Sequence, residues 1–141
     1  MAYHTVTTIW KENMAFETDN PLGNNVIIDT SKENGGDASG LSPKAMMLSS
    51  LAGCSGLDVV ALLSKMRVEV DDFKIIVKGE LTEEHPKYYS SVTVDYHFTG
   101  NNLKKDKIEK AVALSVEKYC GVMEMFRKFA EVKIEIFYHK K

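Results

Sequence analysis

The stretch LSPKAMMLSSLAGCSGLDVV, from Leu41 to Val60, decides the fold of this chain. Ser42 can cap a helix, and Pro43 suits the first helical position because its missing N–H would have no partner there in any helix. The residues that follow are apolar on nearly every side of a helix. We therefore predict a helix over about residues 42–65 that runs through the middle of the fold.

Small residues crowd the centre of this helix around Cys54. A glycine inside a helix costs about 1 kcal/mol relative to alanine. The presence of both Gly53 and Gly56 therefore indicates that another backbone approaches closely there. Tight helix packing alone also explains the glycines, and it does not require the cysteine.

The rest of the chain alternates between strand and helix patterns. Residues 3–30 read as a meander of short strands with polar turns between them, and residues 68–99 as a long hairpin with one apolar and one wet face. Helices are predicted over about 103–129 and a last strand over about 131–138. The pattern predicts a single α+β domain over residues 1–141.

The segment of residues 31–40 is polar and rich in glycine, with no apolar period. This composition predicts a flexible connector. A loop that borders a site is the alternative, because the segment leads directly into the predicted central helix.

Composition argues against several classes of function. A net charge of -2 and a pI near 6.1 over 141 residues give no basic field for nucleic acid. The N-terminus lacks the basic and apolar runs of an export signal, and the apolar stretch 45–63 carries several polar residues, so we expect a cytoplasmic protein that does not enter a membrane.

In a cytoplasmic protein the two cysteines should be reduced at rest. Neither they nor the four histidines have metal-ligand spacing, so we expect no metal and no cofactor.

The two cysteines are the candidate reactive groups, since no phosphate loop or nucleophile elbow is present. Cys54 lies within an apolar helix, where burial raises a thiol pKa and makes the thiol inert. Cys120 lies at a break between two predicted helices, where N–H groups of a first turn would favour its thiolate. Each is either a reactive thiol or a small buried apolar residue. Sequence spacing does not show whether the two thiols meet.

The stretch of residues 41–60 closely resembles the central-helix motif of OsmC-like proteins, the OsmC/Ohr superfamily. In that motif a Ser-Pro or Asn-Pro pair precedes a small-residue apolar helix whose cysteine lies roughly three turns in. Gly-Cys-Ser-Gly followed by an apolar residue and Asp-Val-Val, residues 53–60, is similar to the YhfA-type branch. Cys120, followed by a short helix and a terminal strand, also fits, so the resemblance covers nearly the whole chain.

The resemblance implies an intertwined homodimer, with an antiparallel sheet wrapped around a long buried central helix and with sites at the subunit interface. It also implies a thiol-dependent hydroperoxide reductase that acts in oxidative-stress defence. Cys54 would be the peroxidatic thiol and Cys120 the resolving thiol. The substrate would be an organic hydroperoxide, and an external dithiol would restore the reduced pair.

The chain departs from the family pattern in its charges. Peroxidase members carry an arginine in the N-terminal half and a glutamate at the start of the central helix. Here Arg67 and Arg127 both follow the helix, and Lys44-Ala45-Met46 stands where the glutamate is expected. We therefore expect reduced peroxidase activity. The alternatives are a non-catalytic dimer that binds a small apolar ligand in an interface pocket, and a structural dimer with inert cysteines.

Overall fold

The computed structural model of the protein describes residues 2–141, so Met1, the first residue of the predicted domain, lies outside them. The described chain forms two compact units, residues 2–47 and residues 48–141. Six strands and three α-helices occur in the described residues, in the order β1 Thr8–Glu12, β2 Ala15–Thr18, β3 Val26–Ile28, α1 Pro43–Lys65, β4 Asp72–Leu81, β5 Tyr89–Thr99, α2 Lys105–Leu114, α3 Gly121–Arg127 and β6 Glu131–His139. The α+β class of the prediction is confirmed.

The first unit is a small antiparallel sheet in the order β1-β2-β3. Its strands are three to five residues long and consist largely of β-branched and aromatic residues, which suit a pleated surface. Many of its large side chains are exposed, among them Ile9 and Trp10. A sheet this small buries little apolar surface alone.

A buried carboxylate, Asp29, organises the loop that follows β3. The Asp29 side chain accepts hydrogen bonds from the Ser39 hydroxyl at 2.6 Å, the Ser39 N–H at 3.1 Å, the Asp37 N–H at 3.2 Å and the Thr30 N–H at 2.7 Å. The bond from the Ser39 hydroxyl is the main reason that the pKa of Asp29 falls from 3.8 to about 2. The segment of residues 31–40 is thus an ordered loop, and the flexible connector predicted from its composition is wrong.

The second unit contains a three-stranded sheet in the order β4-β5-β6. Strands β4 and β5 form the predicted antiparallel hairpin, from Asp72 opposite Thr99 to Leu81 opposite Tyr89. Strand β6 pairs with β5 in parallel, so the sheet is mixed. The prediction of an antiparallel sheet is therefore correct for β4 and β5 and wrong for β6. The two helices between β5 and β6 carry the chain back to the start of β5, and a strand that begins there must run in the same direction.

The core of the second unit lies between one face of this sheet and the helices. The buried side chains come from strand β5, from α1 and from α2 and α3: Val92, Val94, Tyr96 and Phe98; Leu51, Val59 and Leu63; Ile108, Val112, Met123 and Phe126. Alternate residues of β5 point into this core, as the period of two in its sequence predicts. Phe73 of β4 stacks on Phe98 with 4.5 Å between the ring centroids.

Helix α1 is covered on one side only within the chain. Leu51, Val59 and Leu63 are buried, but Leu57 is 77% exposed and Val60 is 56% exposed. In the described single chain, one stripe of α1 is therefore buried and another is exposed. The physical reason is that the β4-β5-β6 sheet packs against one stripe of the helix and leaves the opposite stripe in solvent.

Helix α1 is also long and apolar enough to cross a membrane, the one such helix in residues 2–141. The core helix of a soluble protein passes the same test of length and composition. Because Leu51, Val59 and Leu63 pack into the core of the second unit, we assign α1 to a small soluble domain.

Candidate functional site

Cys54 lies in the middle of α1 and is half-buried, with a free thiol. The sequence predicts that another backbone approaches these two glycines closely, and in the described chain no backbone atom does so at either position. A Cβ on Gly56 would lie 3.3 Å from Cδ1 of Ile75, whereas a Cβ on Gly53 would meet nothing within 4 Å in the described chain. Gly56 is thus packed against β4, and Gly53 is open in the described chain.

Cys120 is the N-cap residue of α3 and is buried, with 3% of its surface exposed. Its sulfur accepts a hydrogen bond from the N–H of Met123 at 3.3 Å. Its own N–H donates to the carbonyl of Ser115 at 2.8 Å and closes a π-helical turn over Ser115–Tyr119. The sequence predicts a break between two helices at this point. In the structure the break consists of the π-helical turn over Ser115–Tyr119 followed by the N-cap residue Cys120.

The thiols of Cys54 and Cys120 are neighbours. The Cys54 thiol lies close enough to raise the pKa of the Cys120 thiol, and both are free, with no disulfide between them. The first thiol comes from α1 and the second from the α3 cap, so the packing of these helices on one sheet creates the pair. This contact is the one that sequence spacing could not reveal.

The pKa of Cys120 rises to about 11. Burial is the largest cause, because it removes the thiolate from water, and the hydrogen bond to Cys54 and the charge of Asp58 act in the same direction. The N–H of Met123 opposes this rise. The helix N-terminus does favour the Cys120 thiolate, as predicted, through the N–H of Met123, but the loss of solvation outweighs this one backbone hydrogen bond.

A chain of buried hydroxyl groups lies beside the thiols. Ser55 Oγ is 2.6 Å from the hydroxyl of Tyr96 and 2.8 Å from Oγ of Ser115, and Ser115 donates to the carboxylate of half-buried Asp58 at 3.1 Å. Ser55, Tyr96 and Ser115 have no exposed surface. Sequence patterns did not predict this group of hydroxyls. Two features of the sequence could have indicated it: a serine on the inward stripe of a helix and a tyrosine on the inward face of a strand. Both hydroxyls need hydrogen-bond partners when they are buried.

The arginines do not reach the cysteines in the described chain. The Arg127 side chain donates to the carbonyl of Val116 at 2.8 Å and pairs with Glu124 at 3.0 Å. Arg67 is exposed, in a left-handed backbone conformation just after α1. Neither guanidinium therefore supplies a positive charge to a thiol.

No group of three or more potential metal ligands occurs among residues 2–141. An open cavity of about 620 Å³ lies at the C-terminal end of α1, where Val60, Leu63, Arg67 and Phe73 contribute to its lining. Neither cysteine lines it.

Comparison with known proteins identifies relatives over most of the chain. The family model described as OsmC-like protein matches residues 35–135. The chain is 34% identical to the protein YhfA of Escherichia coli K12 over 123 residues, which cover 87% of this chain and 89% of that protein.

Solved structures show the same fold. A hypothetical protein from Aquifex aeolicus VF5 superimposes with a TM-score of 0.86 and 32% identity, over 100% of this chain and 99% of that one. An organic hydroperoxide resistance protein OsmC from Legionella pneumophila superimposes with a TM-score of 0.70 and 16% identity, over 97% of this chain and 98% of that one. At that identity the second likeness shows the fold alone.

Proposed function

Because this chain belongs to the OsmC-like protein family, we propose that it is a thiol-dependent reductase of organic hydroperoxides, with Cys54 as the peroxidatic and Cys120 as the resolving thiol. The observation that carries the proposal is that these two thiols, 66 residues apart in sequence, lie close enough for Cys54 to raise the pKa of Cys120. A family role in peroxide stress agrees with the hydroperoxide resistance proteins among the structural neighbours. The substrate class and the residue roles are our proposal for this chain.

The reaction balances with the peroxide and a dithiol as its only co-reactants. The Cys54 thiolate attacks the distal oxygen of the hydroperoxide, the O–O bond breaks, and the alkoxide takes a proton from water to leave as an alcohol. The sulfur of Cys120 then attacks the Cys54 sulfenic acid. The S–O bond breaks, and the hydroxyl leaves with the Cys120 proton as water. An external dithiol reduces the resulting disulfide by exchange.

The raised pKa of Cys120 fits the resolving role. A thiol that stays protonated can donate its S–H to the neighbouring Cys54 sulfur, and a hydrogen bond to a thiolate stabilises that thiolate. A single thiol donor is weaker than a guanidinium, so we expect slow turnover compared with a site that contains an arginine.

The active form that we propose is a cytoplasmic homodimer. Leu57 and Val60 lie on the uncovered stripe of α1 and are more than half exposed. Apolar surface of this kind on the central helix favours a second copy as its cover. The reduced state of both thiols suits a reducing compartment.

Peroxide consumption by the purified full-length protein tests the proposal. With cumene hydroperoxide and dithiothreitol, the wild-type protein should consume peroxide catalytically, and Cys54→Ser should abolish that consumption. Cys120→Ser should allow one turnover and then stop, with Cys54 left as sulfenic or sulfinic acid. A wild-type protein that consumes no peroxide and keeps both thiols unmodified by mass would overturn the enzymatic proposal.

A second candidate is a non-catalytic dimer that binds a small apolar ligand. The negative charge of Asp58 beside Cys120, together with two arginines that do not reach the thiols, favours this alternative. It predicts that Cys54→Ser leaves ligand affinity unchanged, measured with an apolar fluorescent probe. The reductase proposal predicts instead that peroxide consumption depends on Cys54.

A further inference from the structure

Two imidazole rings, those of His97 on β5 and His139 on β6, meet on the outer face of the sheet in the second unit. Nδ1 of His97 lies 2.8 Å from Nε2 of His139. The ring planes differ by 9°, and the ring centroids are 5.1 Å apart, close to the largest separation that this contact between the two nitrogens allows. The contact is therefore a straight hydrogen bond in the common plane of the two rings, with one proton between the nitrogens.

The pairing of β5 with β6 fixes the position of these rings. The neighbours of His97 in sequence, Tyr96 and Phe98, are buried in the core, so the His97 side chain points outward. Phe137 lies opposite His97 in the parallel ladder, and their rings stack with 4.7 Å between the centroids. His139 lies two residues beyond Phe137, on the same face of the sheet. The pair therefore joins the last residue of β6 to the central strand.

The other bonds at the end of β6 are exposed to water. The carbonyl of His139 accepts the N–H of Gly100 at 2.9 Å. The N–H of Lys141 donates to the exposed side chain of Asn101 at 3.2 Å. Because His139 is itself exposed, water competes for these bonds, and this end of the strand should open more easily than the core. Loss of the bond between the imidazoles should loosen it further.

Charged side chains share the outer face of the sheet with the two rings. They are Asp72, Lys74, Lys78 and Glu80 from β4, Asp95 from β5, and Glu131, Lys133 and Glu135 from β6, with Lys140 and Lys141 after the end of β6. Within residues 2–141, none of them forms a salt bridge or a hydrogen bond with either imidazole. The bond between the rings is thus the contact that protonation of the rings changes directly.

We propose that His97 and His139 form a pH-sensitive switch that holds the end of β6 on β5 near neutral pH and releases it when acid protonates both rings. A neutral imidazole has one donor and one acceptor nitrogen, whereas a protonated imidazole has two donors. The bond therefore exists when both rings are neutral or one is charged, and it is lost when both are charged. Histidine is the side chain that ordinarily changes its charge between pH 5 and pH 8, so a modest fall in pH operates the switch.

Hydrogen exchange of the full-length protein tests the switch. Exchange is followed by mass spectrometry at pH 7.5 and pH 5.0, and the rates are corrected for the intrinsic chemical rate at each pH. Protection of the peptide that contains residues 137–141 should fall roughly fivefold at pH 5.0, the equivalent of one net hydrogen bond. His139→Gln removes one titrating ring and should abolish this fall. The control His85→Gln, at an exposed histidine between β4 and β5, should keep it.

The location of the change separates the switch from general unfolding in acid. Equal protection of the 137–141 peptide at both pH values in the wild type would overturn the proposal. A fall of the same size in the peptides of α1 would also overturn it, because acid would then loosen the whole unit. If His139→Gln does not fold, His97→Gln decides: loss of the fall supports the switch, and a fall that persists in either folded variant contradicts it.

Discussion

The hydroxyl groups of Ser55 and Tyr96 lie 2.6 Å apart in the interior of the second unit, and neither residue has any exposed surface. A buried hydroxyl without a partner costs about 1–3 kcal/mol. The bond therefore satisfies two groups at once and ties α1 to the central strand β5. The same serine also lies next to Cys54 in sequence, so this bond helps to fix the rotation of the helix that presents the thiol.

Removal of one partner should be measurable in stability. We expect Tyr96→Phe to lower the free energy of unfolding by about 1–2 kcal/mol, because the Ser55 hydroxyl loses one of its two hydroxyl partners while the ring remains in place. Urea unfolding followed by circular dichroism measures this loss. Tyr88→Phe, at a tyrosine that is 53% exposed, is the control and should change stability by less than about 0.5 kcal/mol. Equal stability of Tyr96→Phe and the wild type would contradict the structural role.

The first unit should lose stability in acid because of Asp29. The pKa of Asp29 is depressed in the folded state, to about 2 from an ordinary value of 3.8, so its contribution is fully present above pH 3.8 and is lost as pH falls from 3.8 towards 2. Fluorescence of Trp10, the single tryptophan, reports on this unit. Asp29→Asn should lower the unfolding midpoint at pH 7 and flatten the decline between pH 4 and pH 2. A variant whose pH dependence matches the wild type would contradict this account.

Gly36 tests the packing of the loop around Asp29. A Cβ at this position would collide with the carbonyl oxygen of Thr30 and lie 2.7 Å from an oxygen of Asp29. We expect Gly36→Ala to cost about 1–3 kcal/mol, as overpacking typically does. At Gly121 a Cβ would meet nothing within 4 Å in the described chain, so Gly121→Ala should fall within about 0.5 kcal/mol of the wild type. Thermal unfolding of both variants checks the difference, and equal midpoints would contradict the packing argument.

The proposed homodimer predicts a specific effect at Leu57. A charge at this exposed position on α1 should disrupt an apolar interface, so Leu57→Asp should convert a dimer into a monomer in analytical ultracentrifugation. Ile76→Asp is the control, because Ile76 is 47% exposed but lies on strand β4, whose outward residues face away from the core. A dimer that tolerates Leu57→Asp as well as Ile76→Asp would place the interface elsewhere.

Local patterns in the sequence identified the main elements well. Pro43 marks the start of α1, Lys65 marks its end, and the period of two in residues 89–99 places alternate side chains of β5 in the core. These features depend on neighbours within a few residues, which is why one sequence suffices to detect them. The parallel pairing of β6 with β5 depends on the end of β5 to which α2 and α3 lead the chain. The alternation of apolar and polar residues within a strand carries no information about that.

The site was only partly accessible to sequence reasoning. Cys54 and Cys120 were candidates from their types and settings, but their contact could be expected only from the family resemblance. The link from Asp58 through Ser115 to the buried hydroxyls joins three elements that are distant in sequence. Such a link is created by packing, so no spacing rule predicts it. Tertiary packing likewise determines the pKa of Cys120, because burial raises it by more than the N–H of Met123 at the helix N-terminus lowers it.

The central claim, that Cys54 and Cys120 form one redox pair, is tested most directly by mapping the product of a single oxidation. The reduced wild-type protein is treated with one equivalent of cumene hydroperoxide, digested without reductant and examined by mass spectrometry. We predict one peptide pair joined by a disulfide between Cys54 and Cys120 of the same chain, with one equivalent of cumyl alcohol released. Oxidation of Cys54 to sulfinic acid while Cys120 remains a free thiol, or no oxidation of either cysteine, would contradict the claim.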